Sequence, residues 1–444
     1  MIYPRLARSL KRFAPLAALA LLPAAAPPPS APTIVPPSVP EIGAPELAAL
    51  GPDGVGVMER TVVDAGAVDP LGSQAQGTLV RADRTLPLVI WYPAHVPAKA
   101  KRARYSASLV SEPPQPPVQF SIPALAVTNA PAAGKGYPIV LLSHGYNNDP
   151  VMLSWLGENL ATKGYVVVAI RHRDPDINDT AKTPATLIRR PLDITYVLRA
   201  LRAGLLGSLV DTGRIALAGY SFGGYGALTV AGASLDAASP AVKRLPAALS
   251  ERYTGSGTDA AALHDSAIKA VVAIAPAGGS PWAVWGGAGL SAIHAPLLVV
   301  AGTMDRTVGY DPGPASIFRE ATGTDRYLLA FKGAGHAIGT NPPPTEMRGR
   351  LWDFDWFEDR LWRKERVNAV ALHFITAFLD LNLKGDASKA AYLAVPSEDS
   401  DGAKWGSDVK GYDAISQGGA NPTWKGFIKD HQDGLLMKHL PPAP

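Results

Sequence analysis

The residues best suited to chemistry lie in the run Gly219-Tyr220-Ser221-Phe222-Gly223-Gly224, which contains the pattern G-x-S-x-G. The strand-like run Arg214–Ala218 precedes it, and a helix-like segment follows it. In that context the pattern is typical of a nucleophile elbow, a strained strand-to-helix turn that exposes a serine. The residues beside such a serine must lack bulky side chains, which explains the glycines. The sequence therefore predicts Ser221 as a nucleophile rather than part of an ordinary glycine-rich turn.

A serine hydroxyl needs a base, and the base needs an acid that orients it. Behind an elbow of this kind, the acid and the histidine follow the serine in that order along the chain. Asp305 comes just after the apolar run Pro296–Ala301, and His336 comes just after the next apolar run. We therefore expect His336 to act as the base for Ser221 and Asp305 to orient His336. Asp311 is the nearest alternative acid.

The transition state of acyl transfer also needs hydrogen-bond donors for its oxyanion. We expect one donor to be the backbone N–H of Phe222, the residue after the nucleophile. The second donor is expected in the loop after the strand-like run Tyr137–Ser143, and we assign it to the backbone N–H of Tyr146. Gly145 allows that backbone to approach closely. This chemistry requires no metal and no organic cofactor.

Short apolar runs alternate with helix-like segments along most of the chain. The strand-like runs are Leu86–Tyr92, Tyr137–Ser143, Tyr165–Ile170, Arg214–Ala218, Ala270–Ala275, Pro296–Ala301 and Tyr327–Phe331. They are rich in Val, Ile and Leu with little alternation, as expected of strands buried on both faces. Helical patterns are strongest over Pro184–Leu206 and Glu365–Leu383. The alternation predicts a mostly parallel sheet with helices on both faces.

Composition divides the chain into four parts. Residues 1–26 have a basic start and a short apolar run, which predicts a secretory signal peptide, with an uncleaved membrane anchor as the alternative. Residues 27–58 are rich in proline and predict a flexible linker. We expect the α/β domain over 59–384, with 232–264 as an inserted, lid-like segment. Residues 385–444 are expected to form an irregular C-terminal extension.

Charge and cysteine content exclude several classes of protein. The 42 Lys and Arg residues exceed the 38 Asp and Glu residues by four, but the first 26 residues hold four basic residues and no acid. The rest of the chain is therefore neutral, which argues against a nucleic-acid surface. The absence of cysteine excludes a disulfide scaffold and thiolate metal sites. We expect a periplasmic or secreted protein with no stable membrane span after cleavage of the signal peptide; the oligomeric state stays open.

A resemblance to a known family covers roughly Arg60–Gly385. The segments that carry it are YPIVLLSHG, RPLDITYVLRAL, GYSFGGYGALTVAGASLD, LLVVAGTMD, GAGH and RKERVNAVALHFITAFLDLNLKG. Together they resemble the predicted dienelactone-hydrolase-like group, which is allied to platelet-activating-factor acetylhydrolases and cutinase-type polyester hydrolases. The resemblance implies an α/β-hydrolase fold and ester hydrolysis, with Ser221, Asp305 and His336 matching the triad. Dienelactone hydrolases use a cysteine nucleophile, so the serine argues against dienelactone as the substrate.

Three further signals lie near the predicted site. Trp282 and Trp285 follow a predicted strand, where lining a substrate wall and plain packing are both open. The run WDFDWFED, from Trp352 to Asp359, favours partly buried packing over a carbohydrate or polymer platform. The acidic run RDPDINDT lacks the pattern of a calcium loop and predicts a solvated loop.

The expected function is that of an exported serine carboxylic-ester hydrolase, acting through an acyl-enzyme on short-acyl or bulky esters. Polyester or phospholipid acetyl-ester hydrolysis is the first alternative, and a serine peptidase is the second. A non-catalytic binding protein is disfavoured because all three members of the triad are present. Prolines and mixed charge in 232–264 argue against an amphipathic lid that binds lipid. We therefore expect that segment to shape a pocket for water-soluble esters.

Overall fold

The computed structural model describes residues 35–401, 403, 405, 409, 411–418 and 423–444. The predicted signal peptide and residues 27–34 of the predicted linker lie outside the described residues. Among the described residues, no helix combines the length and the apolar character needed to cross a membrane.

The described residues form strands and α-helices that alternate over most of the chain. The strands are β1 (Gly54–Val68), β2 (Arg81–Ala94), β3 (Arg104–Leu109), β4 (Val118–Pro123), β5 (Val127–Thr128), β6 (Tyr137–Ser143), β7 (Val166–Ile170), β8 (Val210–Tyr220), β9 (Ala270–Ile274), β10 (Leu297–Gly302), β11 (Arg326–Phe331) and β12 (Leu435–Leu440). The helices are α1 (Pro70–Gln76), α2 (Ser154–Thr162), α3 (Thr183–Arg202), α4 (Phe222–Val230), α5 (Ala247–Tyr253), α6 (Gly287–Ser291), α7 (Pro314–Glu320), α8 (Leu351–Phe354), α9 (Lys364–Leu383) and α10 (Ala390–Leu393).

Ten of these strands form one sheet in the order β12-β11-β10-β9-β8-β6-β7-β2-β1-β5. The strands from β11 to β7 run parallel to their neighbours. β2 is antiparallel to both β1 and β7, and β12 is antiparallel to β11. β3 and β4 form a separate antiparallel pair. The predicted mostly parallel sheet is therefore confirmed.

The central strands are buried on both faces, which is why their sequences are continuous apolar runs. On β6, Val140 and Leu142 belong to an apolar cluster with α2 and α9. Their neighbours Ile139 and Leu141 belong to a second cluster with α3 and α4 on the other face. Helices thus cover both faces of the sheet, and the predicted α/β-hydrolase fold is confirmed. The carboxyl ends of β6, β8, β10 and β11 meet at one edge, where open α/β sheets build their sites.

The predicted flexible linker is packed onto the domain from residue 35 onward. Ser38 is fully buried, and its hydroxyl donates to the carboxylate of Glu158 on α2 at 2.7 Å. Ala48 is also fully buried, and β1 already begins at Gly54. The linker prediction is therefore wrong for 35–58. The prolines do not prevent this segment from packing through turns and the short 3-10 helix Glu46–Ala48, and the buried carboxylate of Glu158 accepts a hydrogen bond from it.

The predicted irregular extension, 385–444, contributes the last strand of the sheet. β12 pairs with the whole length of β11, from Leu440 opposite Arg326 to Leu435 opposite Phe331. Trp424 in the same segment is fully buried in the cluster that contains α9. The prediction is wrong for this part, because an edge strand with exposed polar residues does not show the apolar run of a central strand.

Candidate active site

Ser221 lies between β8 and α4 with φ 54° and ψ −117°, a left-handed conformation that is strained for any residue except glycine. The glycines around it are required by close backbone contacts. A Cβ atom on Gly219 would lie 2.1 Å from the carbonyl oxygen of Gly223. A Cβ atom on Gly223 would lie 1.9 Å from the carbonyl oxygen of Ser143 at the end of β6. The turn therefore has the geometry predicted from the G-x-S-x-G pattern.

The structure brings together the serine, histidine and aspartate predicted from the sequence. The Nε2 atom of His336 lies 2.9 Å from Ser221 Oγ, and its Nδ1 atom lies 2.7 Å from Asp305 Oδ2. The second carboxylate oxygen, Oδ1, accepts the backbone N–H groups of Thr307 at 2.8 Å and Val308 at 3.1 Å. Three hydrogen bonds thus fix the carboxylate in the orientation that a His-orienting acid needs.

The side chain of Asp305 is fully buried, whereas that of His336 is 18% exposed at the surface of the site. Burial acts to raise the pKa of Asp305, but the hydrogen bond to His336 and the two backbone N–H groups outweigh it and hold the pKa below its ordinary value. Asp305 therefore stays ionised beside the imidazole. The alternative acid, Asp311, has an 83% exposed side chain that pairs with Arg319 at 3.7 Å.

The two residues predicted to supply the oxyanion donors, Tyr146 and Phe222, contact each other through their rings. Phe222 is the first residue of α4, so its N–H has no partner within the helix. Within the described part of the chain, no group accepts the backbone N–H of either Phe222 or Tyr146. The two aromatic rings meet edge to face with their centroids 5.5 Å apart. The N–H of Ser221 itself already has an acceptor, because it donates to the carbonyl of Ile274 at 2.8 Å.

A cavity of about 580 Å³ opens over Ser221, and its lining is mostly apolar. Its wall is formed by loops after β6, β9 and β10, by the start of α4 and by the region of α8. The aromatic and apolar residues that they supply include Tyr146, Phe222, Trp282, Val308, Trp352 and Trp356. Trp282 and Trp352 remain 40% and 38% exposed, so both indoles are accessible to a ligand. The run WDFDWFED therefore lines the cavity as well as packing, which sequence reasoning missed.

Trp282 and Trp285 have different roles despite their spacing. Trp282 lines the cavity, as one of the two predicted alternatives proposes. Trp285 is buried, stacks on Tyr225 with ring centroids 5.2 Å apart, and donates its indole N–H to Thr229 at 3.0 Å. The wall prediction is wrong for Trp285. Ala283, between the two, has a φ of 41°, and this left-handed turn directs the indoles into different surroundings.

The predicted lid, 232–264, contributes none of the described residues that line the cavity. Its apolar residues Leu245 and Leu249 are instead buried in the cluster that contains α3. The segment reaches the site indirectly, because the hydroxyl of Ser239 donates to the carbonyl of Trp282 at 2.8 Å. The segment also lines an adjoining cavity with Pro240, Ala241 and Arg244, and that cavity shares Trp282 with the cavity over Ser221. The prediction that the segment shapes the pocket is therefore wrong only for the wall of the cavity over Ser221 itself.

A buried ion pair lies beneath the loop that carries Tyr146. Arg190 on α3 and Asp174 have side chains only 1% and 4% exposed, and they meet at 2.6 Å. Burial acts to raise the pKa of Asp174, but the Arg190 guanidinium beside it holds that pKa below its ordinary value. The prediction that the acidic run forms a solvated loop is therefore wrong for Asp174. A single sequence offers no signal that pairs an arginine in a helix with this particular aspartate.

Two buried histidines, His144 and His172, lie beside this ion pair. Burial and the charge of Arg190 lower the pKa of His144 to about 4 and that of His172 to about 3, so both rings are neutral. His144 Nε2 accepts the backbone N–H of His172 at 3.1 Å, and His172 Nδ1 lies 3.0 Å from Asp193. The free lone pair of His172 Nε2 faces the hydroxyl of Ser143 at 2.9 Å. These histidines hold backbone and side-chain groups in place and do not line the cavity.

Comparisons with known proteins show similarity over part of the chain. Residues 127–253 match the family model "PETase: PET hydrolase-like". Cutinase 2 of Thermobifida cellulosilytica is 32% identical over 102 residues, which is 23% of this chain and 37% of that protein. Cutinase est2 of Thermobifida alba is 30% identical over 101 residues, or 23% and 32% of the two chains. A solved ferulic acid esterase from Streptomyces cinnamoneus shares 21% identity with a TM-score of 0.49, covering 77% of this chain and 94% of that chain.

The chain spans about a third of the length of the curated relatives it matches. Within that segment the predicted resemblance to cutinase-type hydrolases is confirmed. The protein therefore has an α/β-hydrolase fold, and within the matched segment it is similar to cutinase-type hydrolases.

Proposed function

We propose that this protein is a serine carboxylic-ester hydrolase. The observation that carries the proposal is the continuous relay of hydrogen bonds from Asp305 through His336 to Ser221. The relay ends at an apolar cavity that Tyr146 and Phe222 help to line, and the backbone N–H group of neither residue has a described acceptor. The similarity to proteins named as cutinases supports the same reaction class.

In the acylation step, Ser221 Oγ attacks the acyl carbon while His336 Nε2 takes its proton. Asp305 holds the Nδ1–H and stabilises the imidazolium that forms. The carbonyl oxygen becomes an oxyanion, which the N–H groups of Tyr146 and Phe222 bind. The C–O bond to the alcohol breaks as His336 returns the proton to the leaving oxygen. Water then attacks the acyl-serine with His336 as the base again, and the carboxylic acid leaves.

The cavity supports esters with a bulky or aromatic group as substrates. Its volume of about 580 Å³ lies within the range of small-molecule sites. The exposed indoles of Trp282 and Trp352 offer flat faces on which an aromatic partner can stack. None of the described residues of the predicted lid lines this cavity; the lid lines an adjoining cavity instead.

Water-soluble esters with acyl groups of about two to six carbons are therefore expected to be hydrolysed without a rate jump at the solubility limit, since an apolar lid at an interface produces such a jump. Rates with tributyrin on both sides of its solubility limit, and with p-nitrophenyl esters from acetate to palmitate, check this prediction. A sharp increase above the limit, or a preference for palmitate, would contradict it.

The Trp282→Ala substitution is expected to raise KM for an aromatic ester such as 2-naphthyl acetate about three- to tenfold, because a stacking contact is lost. KM for ethyl acetate should change less than twofold. Trp285→Ala is the matched control within the same loop. Because Trp285 is buried, its removal should lower the free energy of unfolding by about 3–5 kcal/mol without this selectivity between esters. A selective rise in KM for Trp285→Ala alone would reverse the assignment.

Polyester hydrolysis is a second candidate, favoured by the PET hydrolase-like match and by the exposed aromatic wall. Release of soluble acid from a polyester film, measured beside the soluble ester panel, tests it. Hydrolysis of aminoacyl p-nitroanilides beside p-nitrophenyl acetate tests the alternative of a serine peptidase.

We also propose that the protein is exported, on the basis of the basic and apolar pattern of residues 1–26. N-terminal sequencing of the mature protein from periplasmic and culture fractions tests this proposal. Recovery of the full-length chain from the cytoplasm would overturn it.

A further inference from the structure

Tyr146, one proposed oxyanion donor, lies in a loop whose flanks are bound by a single buried pair of side chains. On one side, Arg190 Nη1 donates to the carbonyl of His144 and, at 3.2 Å, to the hydroxyl of Ser143. On the other side, Asp174 Oδ2 accepts the backbone N–H of Asn147 at 3.2 Å. Hydrogen bonds thus hold the loop on both sides of the peptide group that contains the N–H of Tyr146.

The same guanidinium also reaches the second donor. The Cζ atom of Arg190 lies 5.1 Å from the centroid of the Phe222 ring, within the range of a cation–π contact. Arg190 Nη2 meanwhile holds Asp174 Oδ2 at 2.6 Å. One buried side chain therefore contacts both elements of the oxyanion hole, the loop after β6 and the first residue of α4.

We propose that Arg190, paired with Asp174, is a positioning residue that sets the distance between the two oxyanion donors. This proposal rests on the proposed function and deepens it. Arg190 is not among the residues that line the cavity, so it acts through the backbone of Tyr146 and Phe222 rather than on the substrate. Such support is strongest in the transition state, because the carbonyl oxygen acquires its full charge only there.

If Arg190 only stabilised the fold, its replacement would lower the melting temperature without a specific loss of kcat. Arg326 provides a matched control for that possibility. Arg326 on β11 is also buried, at 5% exposure. It donates to the carbonyls of Phe318 at 2.7 Å and Pro441 at 2.8 Å, and it lies 5.8 Å from the Phe318 ring centroid. It therefore shares with Arg190 the hydrogen bonds to backbone carbonyls and the cation–π contact, without a described carboxylate partner, and it contacts none of the residues of the site.

Arg190→Gln is expected to lower kcat for p-nitrophenyl acetate about 10²-fold, with KM within twofold of the wild type, as for loss of an oxyanion donor. Affinity for a trifluoromethyl ketone, which forms an oxyanion with the serine, should fall by a similar factor. Arg190→Lys keeps the positive charge but lacks the planar set of guanidinium N–H donors, so its kcat should lie between those of Arg190→Gln and the wild type. Arg326→Gln should lower the melting temperature while leaving kcat and the ketone affinity unchanged.

Asp174→Asn is the variant to use if Arg190→Gln fails to fold, because the amide oxygen can still accept one hydrogen bond. It should lower kcat about tenfold and weaken the ketone in parallel. The proposal is overturned if Arg190→Lys and Asp174→Asn, both folded, keep the wild-type kcat and ketone affinity, or if their losses match those of Arg326→Gln. If the folded wild-type protein hydrolyses no ester and does not bind the ketone, the proposed function itself fails, and the positioning role fails with it.

Discussion

The Ser221→Ala substitution is expected to lower kcat for ester hydrolysis by about 10⁶-fold, because the members of a triad act as a unit. Loss of the hydroxyl removes the atom that forms the acyl-enzyme, and no other described hydroxyl is hydrogen-bonded to His336 Nε2. The left-handed backbone at this position already carries a Cβ atom, so alanine fits the turn without new strain. The measurement is the single-turnover and steady-state rate with p-nitrophenyl acetate.

Thermal unfolding of the same variant provides the control, since the melting temperature should stay within a few degrees of the wild type. A fluorophosphonate probe should label the wild type and leave the Ser221→Ala variant unlabelled. If the purified variant retained more than a few per cent of the wild-type activity, the assignment of the nucleophile would be wrong.

The Asp305→Asn substitution is expected to lower kcat by about 10⁴-fold, because an amide favours the wrong tautomer of the histidine. In the wild type, Asp305 Oδ2 lies 2.7 Å from His336 Nδ1, and Oδ1 is held by two backbone N–H groups. An amide group placed in the same orientation can present its NH₂ to Nδ1, which would leave the proton on Nε2, where Ser221 needs a base. The measurement is kcat as a function of pH on folded protein.

Asp311→Asn provides the matched control, six residues along the same loop. Its carboxylate is 83% exposed and forms a long pair with Arg319, so this change should alter kcat less than twofold. A large loss of activity in Asp311→Asn together with a small loss in Asp305→Asn would move the role of the acid to Asp311.

The elements that sequence reasoning found are those whose signals are local. The run Tyr137–Ser143 coincides with β6, and the helical pattern over Glu365–Leu383 matches α9 to within one residue. Strands buried on both faces have unbroken apolar runs, so the sequence of a strand indicates that it lies in the centre of the sheet. β1 and β12 were not predicted, because their alternating or polar residues suit the outer part of a sheet, where one face or edge meets solvent.

The sequence by itself determined the order of the proposed triad: an elbow around Ser221, then Asp305, then His336, each beyond the end of a buried strand. This was possible because the turn demands glycine at fixed positions and because parallel strands deliver their carboxyl ends to one edge. Only the tertiary structure decided that Trp282 lines the cavity while Trp285 packs, and that Arg190 pairs with Asp174 beneath the loop that carries Tyr146. These outcomes depend on which distant side chains share a buried space, and residue type and spacing along one chain do not encode that proximity.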